Sequence, residues 1–258
     1  MVVMALPKVA VDAAVIKNQQ VSSDVYRLEL LCPQIIAGAA PGMFVQIRID
    51  RGMLLLRRPF GIADIDRESN ILTLFYRVLG QGTEALTEIK PGELLNVLGP
   101  LGNGFDTTAH QPLLVGGGMG LAPLLYLAHC YNGKADILLG GRNRQEIFWT
   151  EHFKPYVHDI FITTDDGSLG TKGFTTSLLP ELLEKTNYDL IAVCGPGIMM
   201  QKIAEIAEKS KISCQVSLEK RMACGLGACL SCVIDTTDGK RKKVCKDGPV
   251  FWAKEVQI

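Results

Sequence analysis

The chain lacks net charge: 27 lysines and arginines are matched by 27 aspartates and glutamates. Without a basic excess there is no long-range attraction to a phosphate backbone or an anionic bilayer, so nucleic acid and membrane surfaces are not expected partners. A long apolar run is also missing. A bilayer span needs about 20 consecutive apolar residues, and the most apolar window, Leu113 to Ala128, is broken by Gly116, Gly117, Gly118, Gly120 and Pro123. The first residues show no basic region leading into an apolar stretch and a small-residue cleavage site, so no secretory signal is read there and a cytoplasmic protein is expected. Internal repeats, low-complexity tracts and any evident acid–base pair for oxidising an organic substrate are absent.

What is present is enough for two domains and a small appendage: 258 residues, 47% of them hydrophobic. The first hundred residues alternate. Val25 to Leu30 and Val45 to Asp50 show the period-2 pattern of half-buried antiparallel strands, and further strands are expected at Leu72 to Val78 and Leu94 to Leu98. Turn residues separate them, as in a small barrel or sandwich. Near Gln111 the pattern changes. Short apolar runs at Pro112 to Val115, Ile137 to Leu139, Ile160 to Thr163 and Leu190 to Cys194 alternate with helical segments at Pro123 to Cys130 and Gly197 to Lys209. Such alternation implies parallel βαβ units. In the second helix Met199, Ile203 and Ile206 are expected on one face. The divisions read from this are 1–107, 108–215 and 216–258, the last too small to hold a core without a staple.

The staple is visible in the cysteines. Four of the eight follow the spacing Cys224-x4-Cys229-x2-Cys232-x12-Cys245. A C-x4-C-x2-C opening with a distant fourth cysteine suits four-fold thiolate ligation of a [2Fe-2S] cluster. Gly225 and Gly227 permit the backbone to wrap closely there. Structural zinc is the competing reading, although zinc sites usually show two C-x2-C knuckles and this chain has one. Cys32, Cys130 and Cys214 are expected as small buried hydrophobes.

Two glycine-bearing turns stand at strand ends. Gly116-Gly117-Gly118-Met119-Gly120 opens a helix, a context in which backbone N–H groups hold a pyrophosphate, and Cys194-Gly195-Pro196-Gly197 opens another. Ligands of open α/β sheets lie at the carboxyl ends of strands, so Gly117, Gly118 and Gly120 are candidate nucleotide contacts and Cys194 is placed at the floor of the crevice. In the first domain Arg57-Arg58-Pro59-Phe60-Gly61 supplies a fixed cation, Phe75-Tyr76-Arg77 an aromatic face and a second cation, and Gly80-Gln81-Gly82-Thr83 a turn of phosphate size. An ordinary solvated strand face is the alternative for this strip. Arg142 and Arg144 follow a strand end where they would meet a 2′-phosphate or simply face solvent.

Taken together, these features resemble the ferredoxin–NADP⁺ reductase superfamily over the whole chain. More narrowly, they resemble the electron-transfer subunits of NAD-dependent dihydroorotate dehydrogenases. The tail carries that resemblance: Met222-Ala223-Cys224-Gly225-Leu226-Gly227-Ala228-Cys229-Leu230-Ser231-Cys232, then Lys243-Val244-Cys245-Lys246-Asp247-Gly248-Pro249-Val250-Phe251. The resemblance implies an N-terminal FAD-binding β-barrel, a central nicotinamide-binding α/β domain with a parallel sheet and a C-terminal [2Fe-2S] module. It implies FAD on Arg58, Pro59, Phe60, Gly61, Phe75, Tyr76, Arg77, Gly82 and Thr83, and NAD over Gly117, Gly118 and Gly120 with Cys194 at the reacting ring. The cluster would sit on Cys224, Cys229, Cys232 and Cys245. One departure is Gly61, where the family usually has Ser or Thr beside the flavin. A partner is implied as well: an FMN-containing catalytic dihydroorotate dehydrogenase subunit, in a heterotetramer of two plus two. A related ferredoxin:NADP⁺ transhydrogenase or sulfide dehydrogenase subunit, a diaphorase without an obligate partner, and a zinc-stapled binding module are the alternatives.

Overall fold

The computed structural model describes residues 8–51 and 54–258. The alternating first half folds into β1 (Val9–Gln20), β2 (Val25–Leu31), β3 (Phe44–Arg48), β4 (Arg58–Asp66), β5 (Ile71–Arg77) and β6 (Leu94–Leu101). They close into an antiparallel barrel in the order β1-β2-β5-β4-β3-β6. Closure removes open edges, and inward residues such as Leu28, Leu30, Val45, Ile47, Leu72, Leu74 and Val97 fill the interior. Short helices α1 (Pro33–Ile36) and α2 (Gln81–Thr87) sit in the connections.

Two barrel strands were not expected from sequence. β1 is the longest strand, yet Ala13-Ala14 and a register shift between Val15 and Lys17 blur its alternation. β4 begins at Arg58-Pro59, where the proline interrupts any period-2 pattern. Pro59, opposite Gln46 of β3, is tolerated because β4 is paired on that side alone there; its pairing with β5 starts only at Ile62.

The second unit is a seven-stranded sheet in the order β10-β9-β8-β7-β11-β12-β15. Its strands are β7 (Pro112–Gly117), β8 (Asp136–Gly141), β9 (Ile160–Thr164), β10 (Thr171–Lys172), β11 (Leu190–Cys194), β12 (Ser213–Ser217) and, after the hairpin β13 (Val233–Asp235) and β14 (Arg241–Lys243), β15 (Val250–Trp252). All neighbouring pairs are parallel except β12 with β15. Alternate residues face opposite layers. Leu114, Ile137 and Ala192 meet α3 (Leu121–Tyr131) and α4 (Thr150–Phe153), while Leu113, Leu138 and Val193 meet α5 (Thr175–Lys185) and α6 (Gly197–Lys209). Both faces are therefore covered, which explains the unbroken apolar runs of β7, β8 and β11. The buried face of α6 is Met200, Ile203 and Ala207, one position round from the expected Met199, Ile203 and Ile206. The helix is rotated because Met199 packs over the Gly117 and Gly195 turns.

The cysteine-bearing segment is wedged between the two units. Cys232, Ile234, Val244, Cys245 and Phe251 share a core with Phe44 and Leu101 of the barrel and Val216 of the sheet. The turn after β6 holds its far end. Asn103 N–H donates to Gly248 O at 2.6 Å, and Asn103 Nδ2 donates to the carbonyls of Lys246 and Asp247 just past Cys245 in α7 (Val244–Asp247).

Candidate functional site

Three recesses meet where barrel, sheet and cysteine segment join. The first, of about 330 Å³, is lined by Arg58 to Gly61 of β4, Phe75 to Arg77 of β5 and Thr83 of α2. Met119, Ala122, Pro123 and Cys194 line it from the sheet, and Ser217 to Lys220 with Met222 from the start of the cysteine segment. Residues expected from sequence to act together are thus gathered on one wall. Arg58 extends over Gly82, where a Cβ would fall 2.5 Å from its Nε. Glycine there is what lets the cation lie on the turn. Thr83 is committed locally: its hydroxyl accepts from Leu79 N–H at 2.8 Å and Gly80 N–H at 3.2 Å and closes the turn. Arg57, adjacent in sequence, points elsewhere and donates to Asn96 O at 3.0 Å, tying β4 to β6.

The two aromatic residues split. Phe75 is buried against Trp149, ring centroids 4.9 Å apart, and edge-on to His152. Tyr76 turns into the barrel, stacks on Tyr26 at 5.4 Å and donates its hydroxyl to Asn18 Oδ1 at 3.0 Å. Gly61 has room beside it: a Cβ would meet Pro123 at an ordinary 3.5 Å.

The second and third recesses, of about 510 and 500 Å³, share Arg77, Gly117, Gly118 and Pro196 and run along the carboxyl ends of the strands. β7 and β11 are paired with Gly116 opposite Cys194, so the two glycine turns lie side by side where the strand order reverses. Gly118 takes φ +59° with open space beside it, whereas Gly120 is packed against the Cys194 backbone. Arg77 Nε lies 3.1 Å from Asp24 Oδ2 in a geometry that makes no hydrogen bond. Thr163 and Thr175 line this crevice, and their hydroxyls are buried without a hydrogen-bond partner. Arg142 is taken by Glu146, with Nε to Oε1 2.7 Å and its own N–H to Oε2 2.9 Å; Arg144 donates to Ser168 O.

Cys194 is buried and contacts Ser217 O at 3.7 Å. Burial, reinforced by the nearby charge of Glu219, pushes its thiol up to about 12, so it stays protonated. Glu219 itself keeps an exposed edge, yet crowding by the recess walls raises its carboxyl above the usual range. It lines two of the three recesses. Sequence reading missed Glu219, Glu146, Thr163 and Thr175, because none lies in a motif and only the sheet topology brings them to one edge.

The four cysteines form two pairs. Cys224 interacts with Cys229, and Cys245 with Cys232. Burial opposes ionisation of Cys224, but the N–H groups of Leu226, Cys229 and Ala228 outweigh it and hold the thiol down to about 6. Burial and the neighbouring Cys232 push Cys245 up to about 12. Tetrahedral zinc, with Zn–S bonds of about 2.3 Å, draws four sulfurs to about 3.8 Å from one another. Among the described residues the one set of three candidate ligand atoms that close, within 4.8 Å, is Asp136, His158 and Asp159. Among the described residues no three cysteine sulfurs gather that closely, and association in pairs fits two irons better than one zinc. Of the other cysteines, Cys32 and Cys214 are buried as expected. Cys130 is exposed, because it falls on the solvent side of the last turn of α3.

Residues 12–105 match the family described as oxidoreductase FAD-binding domain, and residues 219–257 that described as iron-sulfur cluster binding domain of dihydroorotate dehydrogenase B. A solved NADH-dependent reduced ferredoxin-NADP oxidoreductase superposes with a TM-score of 0.84 at 31% identity, over 95% of this chain and 89% of that one. A ferredoxin NADP+ reductase from Neisseria gonorrhoeae shares the fold, with a TM-score of 0.63 at 12% identity over 78% of this chain and 91% of that one. Barrel, sheet and shared recess therefore define a flavin-dependent, ferredoxin-reductase-like oxidoreductase with an added iron–sulfur domain. The electron transfer subunit of dihydroorotate dehydrogenase B (NAD(+)) from Caldanaerobacter subterraneus subsp. tengcongensis is 40% identical over 95% of this chain and 97% of its own length. That from Fusobacterium nucleatum subsp. nucleatum is 39% identical over 96% and 98%. The chain belongs to this family of dihydroorotate dehydrogenase B electron transfer subunits.

Proposed function

We propose that this chain carries electrons from a catalytic dihydroorotate dehydrogenase subunit through a [2Fe-2S] cluster and FAD to NAD⁺, in pyrimidine biosynthesis. The observation that carries the reading is the first recess, whose walls come from the barrel, from the nicotinamide-type turns and from the root of the cysteine segment at once. When bound, FAD exchanges a hydride with nicotinamide and single electrons with an iron–sulfur centre.

The chain's own residues supply the rest. Arg58, lying on Gly82, presents a guanidinium to the flavin's phosphates, with Thr83 shaping the turn beneath. Pro59, Phe60 and Gly61 line the flavin edge, Phe75 and Tyr76 stiffen the wall from either side, and Arg77 reaches between flavin and nicotinamide. Gly117 and Gly118 border the nucleotide's path, and Gly120 keeps the two turns in contact. Cys194 closes the floor as a neutral thiol and excludes water. Cys224, Cys229, Cys232 and Cys245 hold the cluster. We assign the units to 1–107, 108–215 and 216–258.

The relatives' name, electron transfer subunit, supports a catalytic partner. We propose that this partner carries FMN, that the complex is a heterotetramer of two plus two, and that it works in the cytoplasm; no helix among the described residues is long and apolar enough to cross a membrane. The test is Cys229→Ser with the partner present. Visible absorption and the EPR signal of the cluster are expected to vanish together with dihydroorotate-driven NAD⁺ reduction, while NADH-driven dye reduction persists. Full dihydroorotate:NAD⁺ activity in that variant, or zinc in place of iron and sulfide in the wild type, overturns the assignment.

A further inference from the structure

Gln46 stands on β3 between Val45 and Ile47, both of which point into the barrel core. Its side chain therefore leaves the barrel on the opposite face. That face is not open to solvent: Gln46 is 0% exposed, and neither Oε1 nor Nε2 of its amide has a hydrogen-bond partner. The amide rests on Gly225. A Cβ there would lie 2.7 Å from Cδ and Oε1 and 3.0 Å from Nε2. Gly225 adopts φ +68° and directly follows Cys224, so both its conformation and the amide above it exclude a side chain.

A carboxamide hidden with its donor and acceptor both unused is costly, and native structures retain few such groups. Gln46 cannot withdraw, because β3 is held in register on both sides, opposite Pro59 of β4 and Leu98 of β6. Backbone N–H groups of the loop already turn toward sulfur, as Leu226 N–H does to Cys224 Sγ at 3.3 Å. The group that brings new acceptors to this spot is the charged sulfur of an assembled iron–sulfur centre. We infer that Gln46 Nε2–H donates to a sulfur of the cluster held by Cys224, Cys229, Cys232 and Cys245. Gln46 is then a positioning residue that fastens the cluster loop to the barrel and raises the cluster's reduction potential. The sign follows from charge: the reduced cluster is one unit more negative, and an N–H donor stabilises it more than the oxidised form. The inference rests on the assignment of the four cysteines as cluster ligands.

The experiment uses the holoprotein with FAD and cluster bound. Gln46→Met keeps an unbranched side chain of similar length and removes the N–H. It is expected to retain wild-type iron and acid-labile sulfide. Its cluster should accept an electron about tenfold less readily, a midpoint about 59 mV lower for one electron, in an EPR-monitored titration, with the flavin midpoint unmoved. In wild-type protein labelled with ¹⁵N at the glutamine side-chain amide, pulsed EPR of the reduced cluster should show a nitrogen coupling that Gln46→Met lacks. An unchanged midpoint, or no amide coupling in the wild type, overturns the inference. If Gln46→Met loses its cluster, the wild-type coupling alone decides. Absence of iron and sulfide from the wild-type protein is a different failure, that of the cluster assignment itself.

Discussion

A Cβ on Gly120 would lie 2.4 Å from the carbonyl oxygen of Cys194 and 2.6 Å from the nitrogen of Gly195. The two glycine turns are therefore in backbone contact, and the crevice edge is one rigid piece. Gly120→Ala must push them apart. We expect it to lower the melting temperature and to slow flavin reduction by NADH. Gly118→Ala, with open space but φ +59°, meets only the left-handed strain of roughly 1–2 kcal/mol. At about 2–4 °C per kcal/mol for a chain of this size, Gly118→Ala should lose a few degrees and Gly120→Ala distinctly more. Differential scanning fluorimetry compares them, and equal losses would refute the contact.

Arg58→Ala should weaken FAD retention. A hydrogen bond from a charged donor is worth about 1.5–3 kcal/mol, so FAD should dissociate at least about tenfold more readily on desalting. Arg57→Ala instead breaks the link from β4 to Asn96, and should cost stability with little effect on FAD affinity. Full flavin retention by the Arg58 variant counts against its assignment.

Nicotinamide preference follows from Glu146. Because its carboxylate occupies Arg142 through both oxygens, that guanidinium is not free for a 2′-phosphate, and Asp165 adds negative charge to the same recess. Glu146→Ala should release Arg142 and improve NADPH use relative to NADH. Parallel steady-state assays of flavin-dependent dye reduction measure the ratio, and an unchanged ratio would show that 2′-phosphates are excluded elsewhere.

The buried thiols set an alkaline limit. Burial raises Cys32 to about 11 and Cys214 to about 12 from an ordinary 9.0. With folded values above unfolded ones, their contribution to stability is complete below about pH 9 and is lost as pH rises toward 12. Melting temperature should be flat against pH for this reason up to about 9 and fall above it. Cys214→Ala should flatten part of the fall. An identical alkaline slope in that variant would assign the effect to other groups.

Much of this was legible in the chain itself. β2, β5 and β11 announced themselves by alternation or by an unbroken apolar run, and the bounds of α6 coincide with those expected. What stayed hidden depends on tertiary contact. On β3 the period-2 pattern implied a solvated Gln46; the residue does face outward, but the cysteine segment covers it. α5 escaped notice because Pro180 interrupts its sequence and its buried residues are few. The Arg58 and Gly82 contact joins the start of β4 to α2, and the pairing of β4 with β5, from which α2 continues, brings them together. Phe251 pairs with Val216 in an edge strand of the sheet, and the basic run Lys240 to Lys243 lies at a hairpin, with Lys240 well exposed beside Asp238.

The edge strand has a consequence for cluster assembly. Ser217, where the chain leaves β12, and Val250, where it returns in β15, are direct register partners. The cysteine segment is therefore not a tail but a closed excursion, cinched at its mouth by backbone hydrogen bonds and at its far shoulder by Asn103. The entropy of bringing its ends together is met by the sheet rather than by the metal. Cluster binding then has only the interior of a tethered loop to order, and because Leu218 to Lys220, Met222 and Pro249 of that loop wall the flavin recess, ordering the loop also firms that recess.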